Sequence, residues 1–174
     1  MQLAFITFGG INLEQITNVE QLAAGFYLVA TDVYQKKFLE QKNKRTQPTI
    51  GEVTGDWQQL PYLSLKENIL LGVEKTKRPK FLSYIKLAES SPRLLTKQKN
   101  ELSQIDKIKL QFVHLLLKET SIIYLHDCFD QMTVGQMQWL LGFCHQLVQK
   151  YSLRILLFSK NEQLLHSINI DEIL

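Results

Sequence analysis

The sequence has few cysteines and no long apolar run, and each absence excludes a class of protein. Only Cys128 and Cys144 occur in 174 residues, which is too few for a disulfide scaffold. No apolar run approaches the roughly 20 residues that a membrane-spanning helix needs. The first five residues, Met-Gln-Leu-Ala-Phe, lack the basic start of a signal peptide. We therefore expect one cytoplasmic domain, long enough to bury a substantial core.

The chain also lacks a strong excess of charge. Twenty Lys and Arg against 17 Asp and Glu give a net charge of +3, which by itself does not indicate a nucleic-acid partner. Four cations, Lys75, Lys77, Arg78 and Lys80, form a basic run with few interleaved aromatic residues. Nucleic-acid surfaces usually combine both, so we interpret this run as a solvated face.

The central stretch, residues 101–127, combines a helical pattern with a short apolar run. The spacing of Ile108, Phe112 and Leu115 stacks apolar side chains on one helical face. Residues 121–125, Ser-Ile-Ile-Tyr-Leu, are typical of a strand buried on both faces in a parallel sheet. Ligands of open parallel sheets bind at the carboxyl ends of the strands. The His-Asp pair that ends this run is therefore expected at the functional edge.

Other apolar runs predict the remaining strands, at residues 3–8, 26–30 and 153–158. Helix starts are predicted at Ser64 and Thr133, because each is followed three residues later by Glu or Gln, which forms a capping box. The fold class is therefore α/β, with a mainly parallel sheet and helices on both faces.

The order of these segments resembles that of an ATP-binding-cassette (ABC) ATPase. In that family Leu-Ser-Gly-Gly-Gln, a helix, an apolar strand and Asp-Glu-Pro follow one another. Here Leu102 and Ser103 match, and His126-Asp127-Cys128 stands where Asp-Glu-Pro belongs. Pro-Thr-Ile-Gly-Glu-Val at residues 48–53 is similar to the family's Pro-Thr-Ser-Gly-Glu-Val.

The resemblance implies a P-loop NTPase-like fold with a small helical insertion. It implies a single truncated ABC-ATPase-like domain over residues 1–174, with a helical subdomain at residues 62–104. Within the insertion, the prolines and polar residues of 74–100 predict two short helices joined by loops.

Three positions that match the family's catalytic residues carry a different residue type. His126 stands where the magnesium-holding Asp belongs, Asp127 where the catalytic Glu belongs, and Lys160 where the His that senses the γ-phosphate belongs. Magnesium takes hard oxygen ligands, whereas an imidazole nitrogen suits zinc or copper. Asp is one methylene shorter than Glu, and a small misplacement of a catalytic group costs much rate. No catalytic residue is therefore expected.

The segment that should cradle phosphate contains no glycine. Residues 31–37 read Thr-Asp-Val-Tyr-Gln-Lys-Lys, whereas a phosphate cradle needs glycines so that successive N–H groups point at one anion. Lys36 or Lys37 would retain only a bare charge, and the alternative is that both lie on a solvated helix. Gln58 and Ser103 are the other vestigial nucleotide-binding positions. We expect no cofactor, unless residual binding of ATP with magnesium survives.

Two other chemistries remain as alternatives. A metal site would use His126, Asp127 and Cys128, with His114, but side chains of adjacent strand residues alternate and cannot all face one ion. No metal is therefore expected. A Cys-His hydrolase would use Cys128 or Cys144, but no orienting group is identifiable. Cys144 instead falls on the apolar side of the helix that follows Thr133.

The predicted function is a catalytically degenerate ABC-ATPase-like subunit that acts structurally or as a regulator. Its partner would be an active ABC ATPase subunit or the membrane subunit of a transporter, and it would touch the membrane only through that partner. One alternative is a weak or conditional ATPase completed by a partner. Another is a soluble adaptor that reuses the fold, and in no case is nucleic acid the expected partner.

Overall fold

The computed structural model describes residues 19, 22–30, 36, 40, 50–126, 128–129, 132–160, 164 and 167–174. In chain order its strands and α-helices are β1 Gly25–Val29, β2 Ile50–Thr54, α1 Leu65–Ile69, α2 Phe81–Leu87, α3 Gln104–Leu117, β3 Ile122–His126, α4 Val134–Tyr151, β4 Arg154–Phe158 and β5 Glu172–Ile173. Three 3-10 helices lie at Arg78–Lys80, Pro92–Thr96 and Lys99–Glu101. The strand predicted at residues 3–8 lies outside the described residues.

The five strands form one parallel sheet in the order β2-β3-β4-β1-β5. β4 therefore lies between β1 and β3, although it follows both in the sequence. The three apolar runs predicted at residues 26–30, 121–125 and 153–158 correspond to β1, β3 and β4. The predicted α/β class with a mainly parallel sheet is confirmed.

Alternation along the strands gives the sheet two apolar faces. One face packs against α3 and α4, for example through Phe26 and Ile123 on the sheet and Phe112 on α3. The other face forms a second cluster of Val19, Leu22, Tyr27, Val29, Ile122, Tyr124, Leu156, Phe158 and Leu174. Between β1 and β2, Lys36 and Glu40 have helical backbone. The rest of the helix expected on this second face lies outside the described residues.

Three helices begin with a capping box. Ser64 at α1 and Thr133 at α4 accept a hydrogen bond from the backbone of the third helical residue, as predicted. Ser103 at α3 forms the same motif with Asp106. Among the described residues, no helix has both the length and the apolar character needed to cross a membrane.

The insertion between β2 and α3 is held by polar contacts. Over residues 74–100 it contains one α-helix, α2, and 3-10 helices, instead of the two short helices predicted, because its prolines favour tight turns. Lys77 lies 2.9 Å from the carboxylate of Glu119, just after α3. The indole nitrogen of Trp139 on α4 donates to Glu89 at 2.9 Å. Both contacts fasten the insertion to the sheet domain.

β2 approaches α3 closely at Gly51. A Cβ at this position would lie 2.5 Å from Cδ2 of Leu115 and 3.0 Å from Cγ2 of Thr120. Both neighbours belong to the end of α3 and the turn that follows it. The absence of a side chain at Gly51 therefore allows the helix to lie against the edge of the sheet.

We expect Gly51→Ala to lower the free energy of unfolding by about 1–3 kcal/mol, the usual cost of overpacking a core. In a Leu115→Ala background the same change should cost less, because the clashing atoms are gone. Urea denaturation measures both effects. Gly142→Ala in α4 is the control, since nothing lies within 4 Å of its added Cβ. An equal cost at Gly51 in both backgrounds would contradict the packing explanation.

Candidate functional site

The carboxyl ends of the strands meet at one edge of the sheet. Val29 pairs with Phe158, and Thr54 pairs with His126, in the parallel register. The backbone N–H of Ser159 continues this alignment by donating to the carbonyl of Val29 at 3.4 Å. This carboxyl edge is where the sequence predicted a functional site.

The structure places two of the position-matched residues near each other along this edge. His126 ends β3, and Lys160 is exposed two residues beyond the end of the neighbouring strand, β4. Asp127 lies outside the described residues.

The imidazole of His126 contacts the carboxylate of Glu52 through Nε2 and Oε1. The side chains of His126 and Glu52 are 25% and 29% exposed, so the pair is largely shielded from water. The His126 ring also lies 6.4 Å from the ring of Phe158. Sequence reasoning missed Glu52. The available signal was a carboxylate in the middle of a short strand, two residues from the end and therefore on the same face as Thr54.

The Glu52–His126 pair has limited chemical capacity. A carboxylate that contacts an imidazole fixes the orientation of the ring. Magnesium instead takes a set of hard oxygen ligands in near-ideal octahedral geometry. The pair supplies one nitrogen and a carboxylate oxygen that already contacts it, which does not fit that requirement.

Aromatic side chains lie next to His126 at this edge. Tyr124, two residues before His126, is fully buried with its ring 5.3 Å from that of Phe158. Burial raises the pKa of Tyr124 to about 12. Its hydroxyl has no hydrogen-bond partner among the described residues. The edge therefore rests on an apolar layer that favours neutral groups.

The end of β2 is tied to α3 by a buried glutamine. The side-chain oxygen of Gln111 accepts from the N–H of Thr54 at 3.1 Å, and its amide nitrogen donates to the carbonyl of Thr54 at 2.8 Å. Sequence reasoning missed this contact too. A polar residue between the apolar positions Leu110 and Phe112 was the only signal.

Ser103 caps α3 and does not lie beside Thr54. Its hydroxyl donates to the carboxylate of Asp106 at 2.7 Å and accepts from the Asp106 N–H at 3.3 Å. It precedes Gln111 by eight residues, roughly 12 Å along the helix at 1.5 Å per residue. Ser103 therefore has a structural role, which is to cap the start of α3.

The other nucleotide positions are solvent-exposed. Gln58 is exposed in the loop that follows β2, and Lys36 is exposed with helical backbone. Lys37 lies outside the described residues. Within the described residues, neither Gln58 nor Lys36 forms a hydrogen bond or ion pair with Glu52 or His126.

The alternative metal site is not assembled by the described residues. Nδ1 of His114 lies 2.7 Å from the carbonyl of Ile69, and burial lowers the pKa of His114. The thiol of Cys128 lies 3.5 Å from the carbonyl of Val53. No group of three or more His, Cys, Asp or Glu side chains in the described part of the chain is arranged to hold a metal ion.

The predicted core position of Cys144 is confirmed. Cys144 is fully buried, and burial raises the pKa of its thiol well above the usual value. A thiol kept protonated is a poor nucleophile. This observation removes the basis for a hydrolase that uses Cys144.

We expect Glu52→Gln and His126→Gln each to lower the free energy of unfolding by about 1–3 kcal/mol, because each replaces the contact between a carboxylate and an imidazole in a largely shielded position. The double variant should cost less than the sum, with a coupling of about 0.5–3 kcal/mol. Urea denaturation of the four proteins measures this coupling. The pair Lys107–Asp56, 3.9 Å apart with Asp56 77% exposed, is the control and should show a coupling of at most about 0.5 kcal/mol. Additive effects at Glu52 and His126 would show that the contact does not stabilise the sheet.

Neither a protein-family model nor a curated protein sequence matches this chain. Solved structures do match. The ATP-binding cassette MJ0796, as a post-hydrolysis dimer bound to ADP and Pi, is 19% identical with a TM-score of 0.56, over 75% of this chain and 57% of that chain.

Two further matches have the same fold. Another dimeric structure of MJ0796, described as a bacterial ABC transporter cassette, is 13% identical with a TM-score of 0.63, over 82% of this chain and 77% of that chain. CbiO1 from Clostridium perfringens, part of the CbiONQ ABC transporter complex, is 12% identical with a TM-score of 0.64, over 80% of this chain and 68% of that chain. The chain thus spans between 57% and 77% of these three structures. The chain has the P-loop NTPase-like fold of the ATPase domains of ABC transporters.

Proposed function

We propose that this chain is a catalytically degenerate ABC-ATPase-like subunit that acts structurally or as a regulator with an ABC transporter. It would be cytoplasmic and peripheral to the cytoplasmic face of the membrane. The observation that carries the proposal is the contact between His126 and Glu52 at the end of β3. In the family this strand end supplies the carboxylate that holds magnesium.

The altered position at His126 is one of four that argue against hydrolysis. The segment 31–37 lacks glycine, and Lys160 replaces the terminal histidine. Gln104 and Ile105 replace the two glycines of the signature, where the backbone must approach a phosphate. A partner can compensate for one such change. The four changes together alter the phosphate cradle, the signature glycines, the magnesium ligand and the γ-phosphate sensor.

An open cleft beside the insertion supports the role of a binding subunit. Its volume is about 550 Å³, between the loop after β2 and the approach to α3. The side-chain nitrogen of Gln59 is buried there without a hydrogen-bond partner among the described residues. The lining residues are Gln59, Leu60, Pro61, Leu63, Ser64, Leu65, Lys97, Gln98, Asn100 and Lys107.

We infer that a segment of the partner, either a transporter membrane subunit or an active ATPase subunit, occupies this cleft. The lining alternates apolar side chains with uncharged amides and two lysines, which suits an amphipathic segment. Stable docking would bury on the order of 1,000 Å² or more, so further contacts are expected along residues 62–104 and near Ser103 and Thr133.

A weak or conditional ATPase completed by a partner is the second candidate. The likeness to a cassette bound to ADP and Pi favours it, because the same fold binds nucleotide in that protein. The two candidates differ in what the purified chain does with ATP.

The isolated protein should not bind ATP tightly in a magnesium-dependent manner, because residues 31–37 have no glycine cradle. Calorimetric titration measures this. Any weak, magnesium-independent binding should vanish in the Lys36→Ala/Lys37→Ala variant and persist in Lys150→Ala. A dissociation constant in the micromolar range with magnesium would contradict the proposal. So would turnover of about 1 per second or more that Asp127→Asn abolishes.

We expect ATP to leave the oligomeric state of the isolated chain unchanged, as measured by light scattering. Co-expression with its genomic neighbour should yield a co-purifying complex. Leu63→Asp in the cleft should weaken that complex by at least about tenfold, since it places a charge in a desolvated contact. Ile168→Asp is the control, because Ile168 is 95% exposed and distant in sequence from the cleft. Dimerisation of the lone chain by ATP would refute the argument.

A further inference from the structure

The insertion carries a basic surface outside the cleft. We name residues 66–86 the basic arm. It contains six cations and two carboxylates, a net charge of +4, whereas the whole chain carries +3. The rest of the chain therefore carries −1. The cations are Lys66, Lys75, Lys77, Arg78, Lys80 and Lys86.

The basic arm folds as one unit. The guanidinium of Arg78 donates to the carbonyl of Val73 at 3.3 Å, which closes the turn between α1 and α2. The ammonium of Lys66 on α1 lies 5.9 Å from the ring centroid of Phe81 on α2. These contacts join α1 and the intervening turns to the start of α2.

Internal pairing neutralises part of the arm but not all of it. Lys77 and Lys80 lie 2.9 and 3.6 Å from the carboxylate of Glu119. Glu67 is engaged in the capping box with Ser64, and Glu74 lies 3.8 Å from Lys77. The remaining cations are exposed, and within the described residues they form no ion pair. These are Lys66, Lys75, Arg78 and Lys86.

Exposed apolar side chains lie among these cations. Leu71 and Leu82 within the arm are 50% and 62% exposed, and Tyr62 just before it is 77% exposed. They are three of the six large apolar side chains exposed in the described residues. Cations beside exposed leucine and tyrosine are typical of surfaces that adsorb to anionic membranes.

The composition favours lipid over the other anionic partners. Five of the six cations are lysines, and lysine is depleted at protein–protein interfaces. Nucleic-acid surfaces offer several aromatic rings for stacking, whereas among the described residues 62–86 Tyr62 is the one well-exposed ring and Phe81 is 5% exposed. Isolated leucines fit the boundary between headgroups and acyl chains.

We propose that the basic arm binds anionic phospholipid headgroups at a membrane surface, with Leu71 and Leu82 entering the headgroup boundary. The proposal uses neither the carboxyl edge nor the cleft, but it assigns lipid to residues 66–86, which lie within the range where the proposed function expects further partner contacts. Vesicle binding by the isolated chain therefore tests it separately from the co-purifying complex. The proposal adds a direct contact with lipid to the contact made through a partner.

Sedimentation with vesicles tests this proposal. The full chain should bind phosphatidylcholine vesicles containing about 30% phosphatidylserine and should not bind pure phosphatidylcholine. Lys66→Gln/Lys75→Gln/Lys86→Gln should weaken binding about 100-fold, because each lysine near an anionic surface contributes roughly a factor of five. The control Lys36→Gln/Lys97→Gln/Lys150→Gln has the same net charge and should change binding less than about threefold, since its three exposed lysines lie outside the arm. Equal losses in the two triple variants, or no preference for phosphatidylserine, would overturn the proposal.

A second variant separates lipid from other anions. Leu71→Ser/Leu82→Ser leaves the charge unchanged and should weaken vesicle binding at least about fivefold, because two exposed leucines no longer reach the headgroup boundary. Circular dichroism checks that the fold is retained. Single-stranded oligothymidylate and polyglutamate are the comparison ligands. Binding to either that exceeds vesicle binding and is unaffected by the leucine changes would overturn the proposal in favour of nucleic acid or an acidic protein segment.

Discussion

The parallel pairing of β3 with β2 and β4 is the constraint on which the carboxyl edge depends. Residues 122–126 pair with residues 50–54 on one side and with the start of β4 on the other. Parallel strands enter the sheet in the same direction, so their ends align without any contact between the loops that follow. Side chains on both faces of the sheet are buried. At Gly51 the end of α3 lies so close to β2 that a side chain would not fit. The alignment then sets which residues can meet: Glu52 lies two residues before the end of β2 and His126 at the end of β3.

Side-chain contacts fix the strand ends at the carboxyl edge. The amide of Gln111 bonds to both backbone groups of Thr54, so the end of β2 is fixed to α3. The Glu52–His126 contact fixes β2 to β3 from the opposite face of the sheet. Polar groups at the end of a strand need hydrogen-bond partners, and these two contacts supply partners within the protein. The cost is chemical, because a carboxylate and an imidazole that contact each other are less available to a ligand.

The sequence predicted the elements that depend on local pattern and missed those that depend on pairing. The apolar runs of β1, β3 and β4 and the capping boxes at Ser64 and Thr133 involve residues a few positions apart. Glu52 and His126 are separated by 74 residues, and their contact requires knowing that β2 and β3 are neighbours in a given register. Gln111 was missed for the same reason. In the insertion the short elements follow proline-driven turns, for which hydrophobic periodicity gives no signal.

The contrast between a retained fold and altered motifs has a physical basis. The sheet is stabilised by dozens of buried apolar side chains, each replaceable by another of similar volume, so identities of 12–19% to cassette structures are compatible with the same fold. Nucleotide chemistry instead depends on a few atoms at defined positions, and one residue change can remove it. Surface side chains, like core side chains, can be exchanged without loss of the fold. The basic arm is held to the core by its buried apolar side chains, among them Ile69, Phe81 and Ile85, and its outward charges can be exchanged without disturbing the sheet. Under the proposed function, hydrolysis does not constrain the carboxyl edge, the scaffold is kept, and new contacts are expected on the insertion, whose surface tolerates exchange, rather than at that edge.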